Sequence, residues 1–313
     1  MPYGAPTMAT FLSCSFSGWS LIPPVLTDFD EDLKIAARFI DNQYGTNVSA
    51  AQRGGDHFSS KVEVTLSKIN VEVLLALADE NKRSDIRQAL ERVIFRTIER
   101  GLYSKHKYYD LLVSKIVKSE QKACLISFNY DLLLDRALTD AVRDTANTWS
   151  YAVPFSAGIS QFPSYCDSAD PTILLLKLHG SLNWGKCQKC GSLRLWFYSK
   201  YDDIFRKTWP SCEACSGKGF KPVLVAPASD KRISSELGMA WKAAENCLQK
   251  TDKLTVIGYS FPSFDRESRG LFLKNFVLPN LFVDPSPKLT IIEPNKCVRE
   301  SIKGTSKNSN MFR

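Results

Sequence analysis

Two Cys-x-x-Cys pairs form the most specific chemical motif in this sequence. The pairs are separated by 21 residues, and their members are Cys187, Cys190, Cys212 and Cys215. Two thiolates on one tight turn can face a single ion, and a second such turn completes a tetrahedron. Because all four ligands are sulfur, we expect a structural Zn²⁺ with no open position for a substrate. Four free thiols in a reduced compartment are the alternative.

A second set of chemically capable residues lies at the carboxyl ends of short apolar runs. These residues are Asn129, Asp131, His179, Gly258, Ser260 and Glu293. A histidine titrates near neutrality and can take up a proton, whereas an Asn can orient water or a sugar hydroxyl. A carboxylate can bind an amide group.

The apolar runs are the elements that must position these residues. There are five, at 123–128, 172–178, 222–228, 253–260 and 288–294. Such runs are typical of strands buried on both faces of a parallel sheet. Helical patterns separate several of them, near 130–142, 236–250 and 266–276. The alternation predicts an α/β fold with a Rossmann-like, doubly wound parallel sheet, which binds ligands at the carboxyl ends of its strands.

The rest of the chain fits one domain over residues 1–313 with a small insertion. The predicted parts are a mainly helical region at 28–118, Rossmann-like strands and helices at 120–184 and 221–300, a zinc ribbon at 185–220 and a flexible tail at 304–313. Apolar residues at spacings of three and four predict the helices before residue 118.

In their order along the chain, these motifs resemble the sirtuin family, and especially its divergent bacterial branch. The resemblance covers about residues 1–300 and is carried by Phe128-Asn129-Tyr130-Asp131, Leu178-His179-Gly180-Ser181, the two cysteine pairs, Gly258-Tyr259-Ser260 and Glu293-Pro294-Asn295. A His-Gly step shortly before one Cys-x-x-Cys pair, with a second pair further on, is its most specific part.

The resemblance implies that NAD is the substrate and that His179 and Asn129 are catalytic. His179 matches the family's general base. Asn129 and Asp131 match an Asn-x-Asp motif that holds the nicotinamide ribose and carboxamide and positions the attacking group. Taken without the family, Asp131 has a simpler alternative role, as the N-cap of the following helix.

The remaining cofactor-binding predictions also follow from the resemblance. Gly258 and Ser260 match a Gly-x-Ser that lines the path of the ribose and phosphates. Glu293 falls where the family usually has an Asn near the adenosine ribose. Gly258 has an alternative role as a turn residue.

One family motif is absent from the sequence. The first strand of a sirtuin ends in Gly-Ala-Gly-x-Ser, whose backbone amides hold the pyrophosphate at a helix start. Here Gly4-Ala5-Pro6 fits the spacing of a Gly-Ile-Pro triplet beyond that loop, with Met1 next after the missing serine. We therefore expect the first strand and its loop to be encoded upstream of Met1. Gly54-Gly55 is a poor alternative for the loop.

Two further departures bear on the reaction. Thr7-Met8-Ala9 stands where deacylases have an acidic residue, Phe and Arg, and Phe128 replaces a Gln. Both favour bacterial sirtuin-like domains similar to antiphage NAD hydrolases. The leading hypothesis is hydrolysis of NAD to ADP-ribose and nicotinamide. NAD-dependent lysine deacylation stays open, as does a catalytically impaired module that binds nucleotide or a partner.

The composition indicates which ligands and which cellular location to expect. The sequence is 44% hydrophobic and 24% charged, with a net charge of +8 that suits an anionic ligand. No apolar run is long enough to span a bilayer, and no Lys or Arg precedes Lys34 as a secretory signal requires. We expect a cytoplasmic protein without a membrane partner. The basic residues are scattered, so nucleic acid is not expected, whereas a protein partner or homo-oligomer stays open.

Overall fold

The computed structural model describes a subset of the chain. The described residues are 27–46, 48, 69, 71–100, 107–119, 121–156, 158, 164–166, 170–196, 211–225, 235–259, 265–280, 287–293, 296, 299, 300 and 302. Of the predicted site residues, Ser260 lies outside this set. Gly4-Ala5-Pro6, Gly54-Gly55 and the predicted tail at 304–313 lie outside it as well.

The amino-terminal third of the described chain is helical, as its periodicity predicts. Its helices are α1 (Thr27–Tyr44), α2 (Val71–Glu80), α3 (Ser84–Arg100) and α4 (Lys107–Lys118). They share one apolar core, in which Leu33 and Leu74 are fully buried. Arg92 of α3 donates two hydrogen bonds, of 2.7 and 2.6 Å, to the carboxylate of Asp32 on α1. This two-pronged pair fixes how α1 and α3 pack.

Three parallel strands follow and confirm the predicted parallel α/β architecture. They are β1 (Ala123–Ser127), β2 (Trp149–Ser150) and β3 (Ile173–Lys177), in the order β1-β3-β2, with α5 (Leu133–Val142) after β1. The register pairs Ser127 with Lys177. The residues that follow β1 and β3 therefore leave the sheet at the same edge.

An antiparallel sheet comes next and carries the cysteine pairs. Its strands are β4 (Gly180–Cys187), β5 (Leu193–Leu195) and β6 (Phe220–Leu224), in the order β5-β4-β6. The run at 222–228 was expected to be a buried parallel strand. Its described part instead pairs antiparallel with β4, with Gly180 opposite Leu224. An apolar sequence predicts that a strand is buried but does not predict its direction. Here the strand pairs with β4 and runs antiparallel to it.

The last described strands form a second parallel pair. These are β7 (Lys253–Ile257) and β8 (Lys288–Ile292), preceded by α6 (Gly238–Lys250) and separated by α7 (Arg266–Phe272) with a π-helical turn (Leu273–Val277). The prediction that these runs are buried on both faces is wrong, because Ile257 and Ile292 are 49% and 53% exposed. Within the described part of the chain, each of these two strands pairs only with the other.

Helices α5 and α6 cover the first parallel sheet and share its core. Leu138, Leu175 and Ala244 are all fully buried in this core. Leu254 of β7 and Leu289 of β8 are half-buried against the same cluster. None of the described helices is long and apolar enough to cross a membrane.

Candidate functional site

His179 sits in a rigid turn between β3 and β4. The Leu178 N–H extends the pairing of the strands by donating to the Ser127 carbonyl at 3.0 Å. The His179 carbonyl accepts a hydrogen bond of 2.9 Å from the Val225 N–H. Gly180 follows with φ +82°, and a Cβ at this position would lie 1.9 Å from the Val223 carbonyl oxygen. Only glycine fits there, so the chain direction after the histidine is fixed.

The imidazole of His179 faces a buried carboxylate. His179 Nε2 lies 3.8 Å from Asp265 Oδ1, and both side chains are almost fully buried. The Asp265 carboxylate accepts hydrogen bonds from the Tyr259 hydroxyl at 2.6 Å and from the Ser268 hydroxyl at 2.7 Å. Burial, together with the hydrogen bond to Asp265, raises the pKa of Tyr259 above its ordinary value. Tyr259 therefore keeps its proton and acts as a donor.

Aromatic rings connect the ends of three strands around His179. Phe128, directly after β1, has its ring centroid 5.2 Å from that of His179. Phe128 also stacks on Tyr259, which follows β7, at 4.4 Å. The Tyr130 ring lies 6.1 Å from the imidazole, and its hydroxyl donates to the Val225 carbonyl at 2.6 Å. These contacts bring the ends of β1, β3 and β7 into one aromatic cluster around His179, and we call this region the pocket.

Asn129 lies at the exposed rim of this region. Its N–H donates to the Ser127 hydroxyl at 3.2 Å, and its side chain hydrogen-bonds to Tyr109 of α4. Burial, followed by the negative charge of Asp131, raises the pKa of Tyr109 to about 12, while the Asn129 hydrogen bond acts in the opposite direction. Tyr109 is therefore a neutral hydroxyl that helps to orient the Asn129 amide.

Asp131 is buried beside Asn129 and contacts the start of α5. Its Oδ1 accepts a hydrogen bond of 3.0 Å from the Leu133 N–H. The N-cap position of α5 is Leu132, so Asp131 precedes the cap and its contact is a local turn just before the helix. The contact engages one carboxylate oxygen, and a role of Asp131 in holding a cofactor stays a prediction.

Gly258 and Glu293 lie together at the edge of the second parallel pair. The Gly258 N–H donates to the Ile292 carbonyl at 3.0 Å, directly before Glu293. Gly258 has φ +61°, which a glycine adopts without strain. The Glu293 carbonyl accepts a hydrogen bond of 2.5 Å from Arg299 Nη1. Backbone hydrogen bonds therefore hold this edge in place. The ligand contacts predicted for Gly258 and Glu293 stay predictions.

A buried ion pair lies behind the pocket wall. Lys177 Nζ is 3.0 Å from Asp135 Oδ2, and the two side chains are 1% and 3% exposed. The Tyr151 hydroxyl donates to Asp135 Oδ1 at 2.5 Å. Lys177 Nζ also donates to the Asp131 carbonyl and lies 3.5 Å from that of Tyr130. One ammonium group thus connects the end of β3 to the loop that carries Asn129.

The four cysteines form a cluster that fits a tetrahedral metal ion. Their sulfur atoms all lie within 4.8 Å of one another. Cys187 Sγ is 3.7 Å from Cys215 Sγ, and Cys190 Sγ is 3.7 Å from Cys212 Sγ. A tetrahedron with Zn–S bonds of about 2.3 Å has edges of about 3.8 Å. The donor set and spacing therefore suit Zn²⁺, which would link the end of β4 to the loop before β6.

Comparison with known proteins gives structural similarities alone. No family model matches the chain, and no curated protein matches it. The chain is similar to solved sirtuin structures. One is Sir2 with the inhibitor EX-527, 2'-O-acetyl-ADP-ribose and a deacetylated p53 peptide, at 14% identity over 75% of this chain and 84% of that chain, with a TM-score of 0.35.

A second similar structure is Sir2 with a p53 peptide and NAD⁺. It shows 13% identity, covers 87% of this chain and 90% of that chain, and has a TM-score of 0.37. A third, Sir2Tm with a propionylated peptide, has 14% identity over 72% and 82% of the two chains and a TM-score of 0.35. Similarity at this identity and TM-score does not identify a reaction for this chain.

Five residues that line or support the pocket were not predicted from the sequence. They are Tyr109, Asp135, Lys177, Tyr259 and Asp265. One of them had a signal, because Lys177 is a single charge inside the apolar segment Leu174-Leu175-Leu176-Lys177-Leu178. A charge at such a position requires a buried partner. Asp265 and Tyr109 had none, because their contacts depend on distant elements.

Proposed function

We propose that this chain hydrolyses NAD to ADP-ribose and nicotinamide, with His179 as general base. The observation that carries the proposal is the buried imidazole beside a carboxylate, at the strand edge where Asn129 is exposed. Nicotinamide is a good leaving group, so the protein needs only to position a nucleophile and manage one proton.

The proposed step is a displacement at the ribose carbon that bears nicotinamide. The C–N bond breaks with its electron pair leaving on the nicotinamide nitrogen, while a water oxygen bonds to the ribose carbon. His179 accepts a proton from that water and later releases it to solvent. We assign to Asn129 the orientation of the water or of a ribose hydroxyl, and to Asp131 the binding of the carboxamide. Phe128 and Tyr259 offer aromatic faces to a cationic pyridinium ring.

Product analysis tests the proposal against deacylation. The chain is incubated with NAD alone, and again with an acyl-lysine peptide, and nicotinamide and ADP-ribose are quantified. Hydrolysis predicts equal release of both products without peptide. Release that depends strictly on the peptide, with transfer of the acyl group to ribose, would assign a deacylase instead. Binding of ADP-ribose without turnover would assign a non-catalytic module.

Four close thiols support the proposed Zn²⁺ as a structural cofactor.

We extend the proposal to antiphage defence, in which NAD depletion stops the growth of infected cells. Expression of the chain in a bacterial host during phage challenge is then expected to lower cellular NAD. His179→Ala is the matched control and is expected to leave the NAD level unchanged. Equal NAD levels with the two proteins would remove the defence role.

A further inference from the structure

Asp265 stands at the start of α7 but does not behave as a helix cap. An Asp at this position ordinarily accepts a hydrogen bond from a backbone N–H of the first turn. Here the Asp265 side chain makes no capping hydrogen bond. It accepts instead from the hydroxyls of Tyr259 and Ser268, and it faces His179. The Asp265 carboxylate therefore interacts with side chains of the pocket and not with the backbone of α7.

The surroundings of Asp265 favour its charged form. The residue is 2% exposed, and hydroxyl donors engage both of its oxygen atoms. Hydrogen bonds donated to a carboxylate stabilise the anion. A buried anion in turn favours a positive charge on a group a few ångströms away, because the local dielectric is low. His179 Nε2, at 3.8 Å, is such a group.

We propose that Asp265 is a positioning residue for His179. Its carboxylate, 3.8 Å from Nε2, electrostatically favours the tautomer that carries its proton on Nε2, which leaves Nδ1 as the nitrogen that accepts a proton from the attacking water. It also stabilises the imidazolium that results. This inference rests on the proposed function for the role of the base, but the contact between the two side chains does not depend on it.

Other ionisable groups around this imidazole come from separate elements. Among the described residues, they are Tyr130 before α5 and Tyr259 after β7, both of which donate their hydroxyl protons to other oxygens. Arg269 of α7 adds a positive charge that acts on Tyr259 and lowers its pKa, against the larger effect of burial. The Asp265 carboxylate contributes a negative charge, with Oδ1 at 3.8 Å from His179 Nε2.

Asp265→Asn tests the inference, because it keeps the shape and removes the charge. NMR titration of the His179 ring is the first measurement, with His57 and His106 separated from it by the His179→Ala spectrum. The titration midpoint of His179 is expected to fall by about one pH unit in Asp265→Asn, a tenfold loss of proton affinity. Asp140→Asn, an exposed change on α5, is the matched control and leaves the midpoint in place.

Steady-state kinetics of NAD cleavage provide the second measurement. Asp265→Asn is expected to lower kcat by about tenfold or more with KM within about twofold, and to extend activity to lower pH. When His179 is already replaced by Ala, Asp265→Asn is expected to cause no further loss of kcat. If Asp265→Asn lowers the amount of folded protein, Asp265→Ser gives the same comparison.

The two measurements distinguish failure of the Asp265 inference from failure of the proposed function. An unchanged His179 midpoint in Asp265→Asn overturns the inference, whatever the activity. A lowered midpoint in a chain that does not cleave NAD keeps the contact and removes the proposed function. Equal losses of kcat from Asp265→Asn with and without His179 would show that Asp265 acts elsewhere.

Discussion

Lys177 and Asp135 are charged residues that solvent hardly reaches. Lys177 lies two residues before His179, and its ammonium group bonds to the backbone of the loop that carries Asn129 and Asp131. A buried charge is tolerated only when it is paired and hydrogen-bonded. We infer that this pair holds the two strand ends in a single arrangement.

Removal of the Lys177 charge should therefore destabilise the fold. Lys177→Met is expected to lower the free energy of unfolding by about 3–5 kcal/mol, because it leaves the Asp135 carboxylate buried without a cation. Urea denaturation followed by tryptophan fluorescence measures the change. The double variant Lys177→Met/Asp135→Leu is expected to recover part of the loss, since neither charge remains.

Lys122→Met is the matched control for this prediction. Lys122 pairs with Asp170, but the two side chains are 66% and 75% exposed. An exposed pair contributes less than about 1 kcal/mol, so the control should unfold almost like the parent. Equal stabilities for Lys177→Met and Lys122→Met would contradict the role given to the buried pair.

At the scale of elements, β4 joins the pocket to the cysteine cluster. The strand begins directly after His179 and ends at Cys187. Its centre is buried, with Trp184 fully enclosed. A metal that fixes one end of β4 should consequently help to fix the turn at the other end.

The cysteine cluster is expected to hold one Zn²⁺ per chain. Cys212→Ser should lose the ion and lower the melting temperature, because thiolate ligands bind metal and a structural site contributes folding energy. Metal analysis by atomic emission and native mass spectrometry provide the readout. Cys166→Ser, which lies outside the cluster, should keep the ion. An undiminished zinc content in Cys212→Ser would exclude this site.

The elements differ in how far the sequence could predict them. β1 and β3 were predicted because buried parallel strands read as continuous apolar runs. β4 was missed because Gly180-Ser181-Leu182-Asn183 mixes small and polar residues, and its pairing with β6 joins segments far apart in the chain. The cysteine cluster was predicted well, because Cys-x-x-Cys spacing is itself a geometric constraint. The Asp265 contact has no local pattern of this kind.

At the scale of the whole molecule, the two parallel sheets differ in how well they are covered. β3 lies between β1 and β2, and Ile173 and Leu175 are almost fully buried. In β7, four of five residues are exposed or half-buried. β3 should therefore open only with the global core, whereas β7 and β8 should open by local fluctuation.

Hydrogen exchange measures this difference directly. The amides of β3 are expected to exchange at least about tenfold more slowly than those of β7 and β8, because local opening costs less free energy where fewer apolar contacts are lost. Mass spectrometry of peptic peptides gives the rates. Leu175→Ala should accelerate exchange in β3 and β1, whereas Ile292→Ala should leave both unchanged. Equal protection of the two sheets would contradict the account.

The most direct test of the central claim is the rate of nicotinamide release from NAD by the parent chain and by His179→Ala. His106→Ala serves as a histidine control, because the sequence assigns no role in the site to His106. We predict measurable release by the parent and the control, and a kcat lower by about 10²–10⁴-fold in His179→Ala. If His179→Ala releases nicotinamide as fast as the parent, His179 is not the base and the strand-edge pocket is not the site of the reaction.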